Sequence, residues 1–398
     1  SEMCIRDRSY AYSPVNGEDG VVPSGVTYSW AVPASTSSEV SGTSGTDQNE
    51  FSTGILSNLL STPETLTYSV TPKILATGCE GEDFTVTITV NPEPQIDNFS
   101  ETICEGDTFI SITPEDGTNG VVPLGTTYTW DIAANSSSSI EGASASTAAS
   151  ATIPGSELTL VAGTTSPQDL IYVVTPTSSE GCEGEDFTVT ITVNPTAQVD
   201  PVDSLDLCNG DTAVIDFTTS NGGDDSVTTY SWVVTGDDIG LPSTGNDNIS
   251  QLVTNATTDV LTATIEVTPT YTNAGESCTG PSKEFTITVN PTAQVNEVDP
   301  IVVCNGDDIA DIVFSTANTN GTTIYSWTND NTNIGLGASG TGDISSFAAT
   351  AGTSPEVATI TVTPSYDATD PLACTGEEIT FTITVNPTAQ VDQPDNYE

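Results

Sequence analysis

The sequence predicts an all-β protein, built as a tandem array of small antiparallel β-sandwich modules. One stretch, in which apolar residues alternate with threonine before an Asn-Pro pair, occurs in four near-copies. The asparagines of these copies lie 103, 96 and 96 residues apart, which suits a small sandwich domain and is too long for a solenoid repeat. No segment shows the period of a helix. The copies occupy residues 84–92, 187–195, 285–291 and 381–387.

Each copy is predicted to be the last strand of its module. In the second copy Phe187, Val189, Ile191 and Val193 face one side and the threonines face the other, as in a strand with one face on a core and one in water. The β-branched residues favour a pleated strand over a helix. Asn-Pro ends the ladder because proline has no N–H to donate. We therefore predict closing strands over residues 84–90, 187–193, 285–289 and 381–385.

Four closing strands define four modules. Their predicted ranges are 1–92, 93–195, 196–291 and 292–387, with residues 388–398 as the start of a further module. The chain is therefore expected to be a piece of a longer array. Residues 1–8 hold the only Met and both Arg residues, unlike the rest of the chain, and we treat them as suspect. Cys4 is kept as a native candidate because it stands 26 residues before Trp30, as Cys104 stands before Trp130.

Within a module the sequence signals follow a constant order. An early cysteine, in modules 2 to 4 part of a Cys-x-Gly-Asp turn, precedes an alternating strand, a Tyr-x-Trp strand and a middle rich in Ser, Thr, Gly and Ala. A strand that ends in Val-Thr-Pro follows, and then a late cysteine before the closing strand. About seven short strands separated by turn residues are typical of an antiparallel sandwich. The middles, most diffuse at residues 136–151, are predicted to be loops and edge strands because strands bound them on both sides.

The composition excludes two classes of partner. The net charge is −51, with four basic residues and no His. Such a chain cannot neutralise phosphates, so nucleic acid is excluded, and an anionic membrane surface would repel it. No run of 18 apolar residues occurs, so no spanning helix and no direct membrane insertion are predicted. Salty water tolerates this charge best, and two interpretations stay open: a secreted protein of a saline environment, or an acidic surface without that meaning.

The order of motifs resembles a known family. Cys-x-Gly-Asp, Tyr-x-Trp, Val-Thr-Pro, Gly-Cys-x-Gly and Thr-Val-Asn-Pro together resemble the PKD-like, immunoglobulin-like (Ig-like) repeats of large bacterial cell-surface adhesins and gliding- or secretion-associated proteins. The resemblance covers the chain beyond residue 8. It implies Ig-like sandwiches in an exported, extracellular array displayed on a bacterial cell surface, and it carries no known active site. The early cysteine lies 23 to 26 residues before the Trp, too far for the inter-sheet bridge of antibody domains to be assumed.

The regular placement of the cysteines predicts disulfides in an oxidising compartment, and no CxxC zinc spacing occurs. Pairing within modules would close loops of about 70 residues, each worth about 4 kcal/mol in the chain-entropy model. It requires both cysteine turns to lie at the same end of the sandwich. The alternative is pairing across modules, with Cys79 bound to Cys104. The favoured pairs are Cys4–Cys79, Cys104–Cys182, Cys208–Cys278 and Cys304–Cys374.

The aromatic pairs have a functional and a structural interpretation. Tyr-x-Trp could stack against sugars, yet a Trp on the third strand of such a sandwich is more often the largest side chain of the core. We predict core positions for Trp30, Trp130, Trp232 and Trp327.

Acidic residues near the cysteine turns raise the alternative of a Ca²⁺ site, because Ca²⁺ takes several oxygen ligands. Module 3 breaks the acidic pattern with Pro281 and Lys283, and no EF-hand loop occurs. We predict solvated acidic turns and no cofactor, with Ca²⁺ as the alternative. The residues of that alternative site are Asp107, Glu183, Glu185 and Asp186.

No residue set predicts catalysis. Without His a nucleophile lacks its usual base, and no carboxylate pair is singled out for glycoside cleavage. We predict a structural and adhesive stalk segment of a large exported bacterial surface protein, a spacer and weak multivalent adhesin rather than an enzyme. Its partners would be other modules of the array and a surface polysaccharide or another cell-surface protein. The alternative is a polysaccharide-binding accessory region of a secreted multidomain enzyme.

Overall fold

The chain folds into strands. The computed structural model describes residues 9–33, 40, 42–223, 226–366 and 373–391, together with the backbone of residues 2–4. In these residues the single helical segment is a 3-10 turn, Thr332–Ile334. No helix of the described part has the length and hydropathy needed to span a bilayer.

The first two predicted modules contain sixteen strands among the described residues. Those of module 1 are β1 (Glu2–Cys4), β2 (Ser9–Tyr12), β3 (Val26–Trp30), β4 (Gly45–Gln48), β5 (Phe51–Ile55), β6 (Glu64–Ile74), β7 (Cys79–Glu80) and β8 (Phe84–Asn91). Those of module 2 are β9 (Gln95–Ile96), β10 (Phe99–Cys104), β11 (Gly120–Val121), β12 (Thr127–Ile132), β13 (Ile140–Glu141), β14 (Thr159–Leu160), β15 (Gln168–Thr177) and β16 (Phe187–Asn194).

The last two predicted modules contain a further sixteen in the part of the chain that the structure describes. Those of module 3 are β17 (Leu205–Cys208), β18 (Thr212–Ile215), β19 (Val227–Gly236), β20 (Thr244–Asn246), β21 (Ile249–Leu252), β22 (Leu261–Asn273), β23 (Glu276–Thr279) and β24 (Lys283–Asn290). Those of module 4 are β25 (Ile301–Cys304), β26 (Asp308–Ile309), β27 (Thr323–Asn329), β28 (Ser339–Thr341), β29 (Phe347–Ala348), β30 (Glu356–Tyr366), β31 (Cys374–Thr375) and β32 (Ile379–Asn386).

The main sheet has the same strand order in every module. In module 3 the order is β17-β24-β22-β19-β20, with β23 paired to β22. Modules 1 and 4 repeat it as β1-β8-β6-β3-β4 with β7 on β6 and β25-β32-β30-β27-β28 with β31 on β30, and the four strands of the main sheet of module 2 follow the same order as β10-β16-β15-β12. The opening strand runs parallel to the closing strand, whereas the long strand on the other side of the closing strand runs antiparallel to it. All the named sheets join strands of one predicted module, although the residue boundaries of the modules stay a prediction.

The parallel pairing fixes the place of the early cysteine. The last residue of each opening strand is this cysteine, and it lies opposite the asparagine that ends the closing strand. The register pairs are Cys4 with Asn91, Cys104 with Asn194, Cys208 with Asn290 and Cys304 with Asn386.

A smaller second sheet completes each sandwich. In module 3 it consists of β18 and β21, and its Ala213 and Ile215 lie in one buried cluster with Ile265 and Ile287 of the main sheet. Corresponding clusters fill the other three modules. Because apolar side chains from two facing sheets meet in one core, each module is a β-sandwich, as the sequence predicts.

The predicted closing strands are confirmed as β8, β16, β24 and β32. In β16 the side chains of Phe187, Val189, Ile191 and Val193 are buried and the threonines between them are half-buried. Each strand continues to the asparagine, one residue beyond the predicted end, because the parallel opening strand pairs with that residue as well.

The chain divides into two compact units. The first consists of Ser1–Thr196 with Gly222–Ser226 and Thr272–Cys278, and the second of Ala197–Asn221, Val227–Tyr271 and Thr279–Glu398. The first unit therefore includes two short segments of predicted module 3. The second includes the remainder of module 3 together with module 4.

We expect salt to stabilise the fold. Four basic residues stand against 55 acidic ones, so most carboxylates have no cationic partner and repel one another. Raising NaCl from 10 mM to 500 mM shortens the Debye length from about 30 Å to below 8 Å, and the midpoint of thermal unfolding should rise by several degrees. Scanning calorimetry measures it, and KCl at equal ionic strength should act equally. An unfolding midpoint that does not change with monovalent salt but rises with micromolar Ca²⁺ would contradict stabilisation by charge screening and favour a calcium site.

Candidate functional site

The early cysteines of modules 2 to 4 begin a tight turn, whereas the corresponding residues of module 1 lie outside the described part of the chain. In module 3 the Cys208 N–H donates to Asp211 Oδ2 at 2.8 Å, and the Asp211 N–H donates back to the Cys208 carbonyl at 3.0 Å. Cys304 and Asp307 form the same pair of bonds in module 4, at 2.9 and 3.0 Å. The turn needs glycine at its third position because φ there is positive, +91° at Gly210. This turn lies at the end of the module where the closing strand ends, which we call the rear end.

The late cysteine lies at the opposite end of the sandwich, which we call the front end. In module 4, Cys374 of β31 pairs with Tyr366, the last residue of the long strand β30. The glycine two residues after the cysteine donates its N–H to the proline carbonyl of that long strand. This bond occurs in all four modules, at Gly81–Pro72, Gly184–Pro176, Gly280–Pro269 and Gly376–Pro364, with lengths of 2.8 to 3.0 Å.

These placements show that the predicted disulfide pairing within modules is wrong. A closing strand of eight residues separates the front end from the rear end, which corresponds to about 25 Å at 3.3 Å per residue. The Cα atoms of a disulfide must lie within about 7 Å of each other. The pairs that the structure contradicts are Cys104–Cys182, Cys208–Cys278, Cys304–Cys374 and Cys4–Cys79.

The disulfides instead join an early cysteine to the late cysteine of the following module. Cys104 is bonded to Cys278, with an S–S distance of 2.01 Å and a Cα–Cα distance of 5.5 Å. Cys208 is bonded to Cys374, with 2.01 Å and 5.4 Å. The two disulfides span 174 and 166 residues and overlap along the chain. Each lies inside one compact unit.

The remaining cysteines fit the same stagger. Cys182 is disulfide-bonded, whereas Cys79 and Cys304 are free and exposed. The alternative pair Cys79–Cys104 is therefore wrong as well. The side chain of Cys4 lies outside the described residues, although its backbone has the register of the other early cysteines.

Peptide mapping without reduction should recover the staggered pairs. We expect Cys104 linked to Cys278, Cys208 to Cys374, and Cys4 to Cys182, because in each pair the late cysteine lies in the module that directly follows that of the early cysteine. Cys79 and Cys304 should react with iodoacetamide in the unreduced protein. A peptide that links two cysteines of one module would contradict the stagger.

A small apolar cluster surrounds the Cys208–Cys374 disulfide inside the second unit. Ala293, Tyr366 and Cys374 are buried there, and Cys208 and Val260 pack against them. Tyr366 is fully buried. Its hydroxyl donates to the Thr319 carbonyl at 2.8 Å, so it is satisfied although it lies in an apolar cluster.

Polar contacts tie modules 3 and 4 together beside this cluster. The Thr319 N–H donates to the Thr258 carbonyl at 2.9 Å. Asp259 Oδ1 accepts from the Thr319 hydroxyl and, at 3.0 Å, from Asn320 Nδ2. Asn320 has a φ of +57°, a backbone conformation that Asn tolerates better than most residues. The junction is therefore bonded through both a disulfide and the backbone.

The linker between the modules packs against the glycine after the late cysteine. A Cβ atom on Gly376 would lie 1.7 Å from the Ala293 carbonyl oxygen. A Cβ atom on Gly280 would lie 1.8 Å from the Ala197 carbonyl oxygen, and one on Gly184 would lie 2.0 Å from the Pro94 carbonyl oxygen. Glycine is thus required at this position because a linker carbonyl occupies the space that a side chain would fill.

The Cys104–Cys278 disulfide has polar neighbours of its own inside the first unit. Asn194, which ends the closing strand of module 2, is buried. Asn273 Nδ2 donates to Asn194 Oδ1 at 2.9 Å, and Asn194 Nδ2 donates to the Asn273 carbonyl at 3.4 Å. Both ends of the Asn194 side-chain amide therefore have a partner on Asn273, one on its side chain and one on its backbone, which offsets the cost of burying Asn194.

The structure does not bring the predicted Trp and acidic candidates together in one place. Trp30, Trp232 and Trp327 are buried in the cores, and Trp130 packs against its core half-buried. The acidic residues of the alternative calcium site are not brought together, because Asp107 lies in a rear-end turn and Glu183, Glu185 and Asp186 follow the late cysteine at the front end. Asp186 accepts from the Thr175 hydroxyl at 2.6 Å. Among the described residues no cluster of three or more Asp, Glu, Cys or His side chains could hold a metal ion.

Sequence reasoning missed the residues that build the junctions. It did not single out Tyr366, Asn273, Asp259 or the linker alanines. One signal was present, since a glycine follows each late cysteine by two residues in all four modules. Its reason, a linker carbonyl against the missing side chain, is visible only when consecutive modules are placed together.

Fold and junctions together define the chain as a tandem array of Ig-like, PKD-like β-sandwich modules. The modules are linked by disulfides, which are typical of extracellular domains. A family model described as "PKD-like domain" matches residues 13–94 and 99–197. No curated protein matches the chain.

Several solved structures are similar over most of the chain. The human desmocollin-1 ectodomain is 12% identical, over 91% of this chain and 74% of that one, with a TM-score of 0.28. Protocadherin gammaB7 EC3-6 is 11% identical, over 92% and 94%, with a TM-score of 0.32. The titin I-band fragment I67-I69 is 9% identical, over 74% and 97%, with a TM-score of 0.33. Similarities of this size carry no information about the function of the chain.

Proposed function

We propose that the chain is a tension-bearing stalk segment of a large exported bacterial surface protein. The observation that carries this proposal is the stagger of the disulfides, which bond the rear ends of modules 2 and 3 to the front end of the module that follows. A disulfide within a module protects that module alone. A disulfide between modules fixes the junction, which is the point where a string of sandwiches is otherwise held by a linker and a few weak contacts.

The chemistry of the surface fits this role. Oxidised cysteines belong to an oxidising compartment outside the cytosol. The charge of −51 keeps neighbouring stalks apart and the array soluble. Weak contacts made by many similar modules would add adhesion through multivalency, with a surface polysaccharide or another cell-surface protein as the partner. The Trp residues are not arranged as sugar-stacking platforms, so the polysaccharide-binding accessory region gains no support from them.

A tether experiment tests the tension-bearing role. The chain is attached by its two ends between a surface and a bead in a flow cell and held at constant force. We expect the oxidised tether to hold its length and the same tether to lengthen in steps after dithiothreitol is added, because reduction releases the junctions. Equal lengthening before and after reduction would overturn the proposal. Protease treatment of intact cells of the source organism tests surface display, since an exported stalk is cleaved without lysis.

A further inference from the structure

The linker that enters a module is part of the sandwich it enters. In module 2, Gln95 and Ile96 of the linker form a ladder with Gly120 and Val121, and Ile96 packs against the core. In modules 3 and 4 the corresponding apolar residues are Val199, which is buried, and Val295, which packs against its core half-buried. Each of these modules therefore has a receptor groove at its front end, filled by an apolar linker residue and bounded by the glycine after the late cysteine.

In module 1 the same groove is open among the described residues. Gly81 has no linker atom within 4 Å of the position of a Cβ, and the nearest atom is Pro72 Cγ at 3.2 Å. A Cβ atom added to Gly20 would have no atom within 4 Å, whereas one added to its counterpart Gly120 would lie 2.0 Å from the Gln95 carbonyl oxygen. Val21, the counterpart of the paired Val121, is 90% exposed.

A cavity of about 550 Å³ lies at this place. Its apolar lining is aromatic and aliphatic, and Cys79 and Gly81 lie at its edge. Cys79 is the free late cysteine of the chain. The lining residues that matter here are Tyr12, Val21, Val26, Tyr28 and Phe84.

The described chain also contains the complementary parts, and they are exposed. Residues 387–391 repeat the Pro-Thr-Ala-Gln-Val linkers of residues 195–199 and 291–295. Val391, however, is 91% exposed where Val199 is 2% exposed. Cys304 is free and exposed at the rear end of module 4. It begins the same turn that Cys208 begins in module 3, where the cysteine is disulfide-bonded.

We propose that the Cys79 face of module 1 is a docking site for another module of this type. The Val or Ile of a Gln-Val or Gln-Ile linker fills the cavity, its backbone pairs with Gly20 and Val21, and an early cysteine of that module bonds to Cys79. Both thiols then lose a proton and an electron to a disulfide oxidant, such as oxidised glutathione, which is reduced to two thiols. The proposal is independent of the tension-bearing role, because the disulfides inside the chain stand whether or not this face is occupied.

A second copy of the chain serves as the probe, since its rear end carries both Cys304 and the free linker. The Cys79→Ser chain keeps Cys304 as donor, and the Cys304→Ser chain keeps Cys79 as acceptor. The two are mixed in a glutathione redox buffer, and products are resolved by non-reducing electrophoresis and mass spectrometry. We expect a dimer linked Cys304–Cys79 to form about tenfold faster than either symmetric dimer, because docking raises the effective concentration of the two thiols.

Two substitutions separate docking from random thiol oxidation. Gly81→Ala in the acceptor places a methyl group where the linker carbonyl lies in the other modules, and Val391→Asp in the donor puts a charge into the cavity. Each should remove the roughly tenfold preference for the mixed dimer. The reactivity of Cys79 towards a small thiol reagent and the thermal unfolding midpoint should not change. Mixed and symmetric dimers in statistical proportion, or a preference that Gly81→Ala leaves intact, would overturn the proposal.

Discussion

Pulling the oxidised Cys4→Ser/Cys182→Ser chain by its ends should extend the segment between Cys104 and Cys374 to only a fraction of its length. This background removes the expected Cys4–Cys182 disulfide, which would otherwise carry the load past Cys104. The shortest covalent path runs from Cys104 through its disulfide to Cys278, back along the chain to Cys208, and through the second disulfide to Cys374. That path contains about 70 residues, or about 250 Å when extended, whereas the reduced segment contains about 270 residues and extends to about 900 Å. Single-molecule force spectroscopy with and without reductant measures the difference.

The stagger also predicts what each disulfide adds. When Cys104→Ser/Cys278→Ser is added to the Cys4→Ser/Cys182→Ser background, the remaining disulfide still bypasses most of the segment, so the extension should grow by only about 30 residues, or about 100 Å. Cys208→Ser/Cys374→Ser should give a similar gain. Disulfides confined to single modules would behave differently, because the loss of one would release its whole loop of about 70 residues. A gain of that larger size would contradict the overlap.

Gly376→Ala should destabilise module 4 by about 2–3 kcal/mol, the upper part of the usual range of about 1–3 kcal/mol for overpacking. The new methyl group would lie 1.7 Å from the Ala293 carbonyl oxygen, and backbone rather than a mobile side chain must move. Hydrogen exchange by mass spectrometry follows β30 and β32 in the intact chain. The free energy of local opening of these strands should fall by that amount.

Gly81→Ala is the matched control. The glycine occupies the same place after the late cysteine, but the nearest atom to a new Cβ is Pro72 Cγ at 3.2 Å. A small shift of the proline ring relieves that contact, so module 1 should change by less than about 0.5 kcal/mol. Equal losses at Gly81 and Gly376 would show that the glycine serves its own turn and not the linker.

The fold was predictable because its signals are local. The alternation around Phe187 and Ile191 indicates a strand with one buried face, and its fourfold recurrence indicates the modules. The pairing of the cysteines was not predictable, because it depends on the direction in which the opening strand runs beside a closing strand that lies far away in the sequence. Once Cys208 is known to lie opposite Asn290, eight residues of strand separate it from the region of Cys278, and pairing within the module is ruled out.

The junction residues needed still more information. In the sequence Tyr366 resembles any aromatic residue of the core. Only the structure shows that its hydroxyl donates to the Thr319 carbonyl, in the cluster around the Cys208–Cys374 disulfide. Trp327 illustrates the opposite case. Its pattern predicts a core position, and the side chain is buried there, with Gly340 directly opposite on the neighbouring strand to admit the indole ring.

The overlap of the two disulfides has a consequence for proteolysis. A protease that cuts once anywhere between Cys104 and Cys374 separates no fragment, because at least one disulfide spans every peptide bond in that interval. Between Cys208 and Cys278 both disulfides span the cut. A protease can thus cut one peptide bond in a Ser- and Thr-rich loop of this interval, and the chain remains one covalent molecule with its two ends still joined.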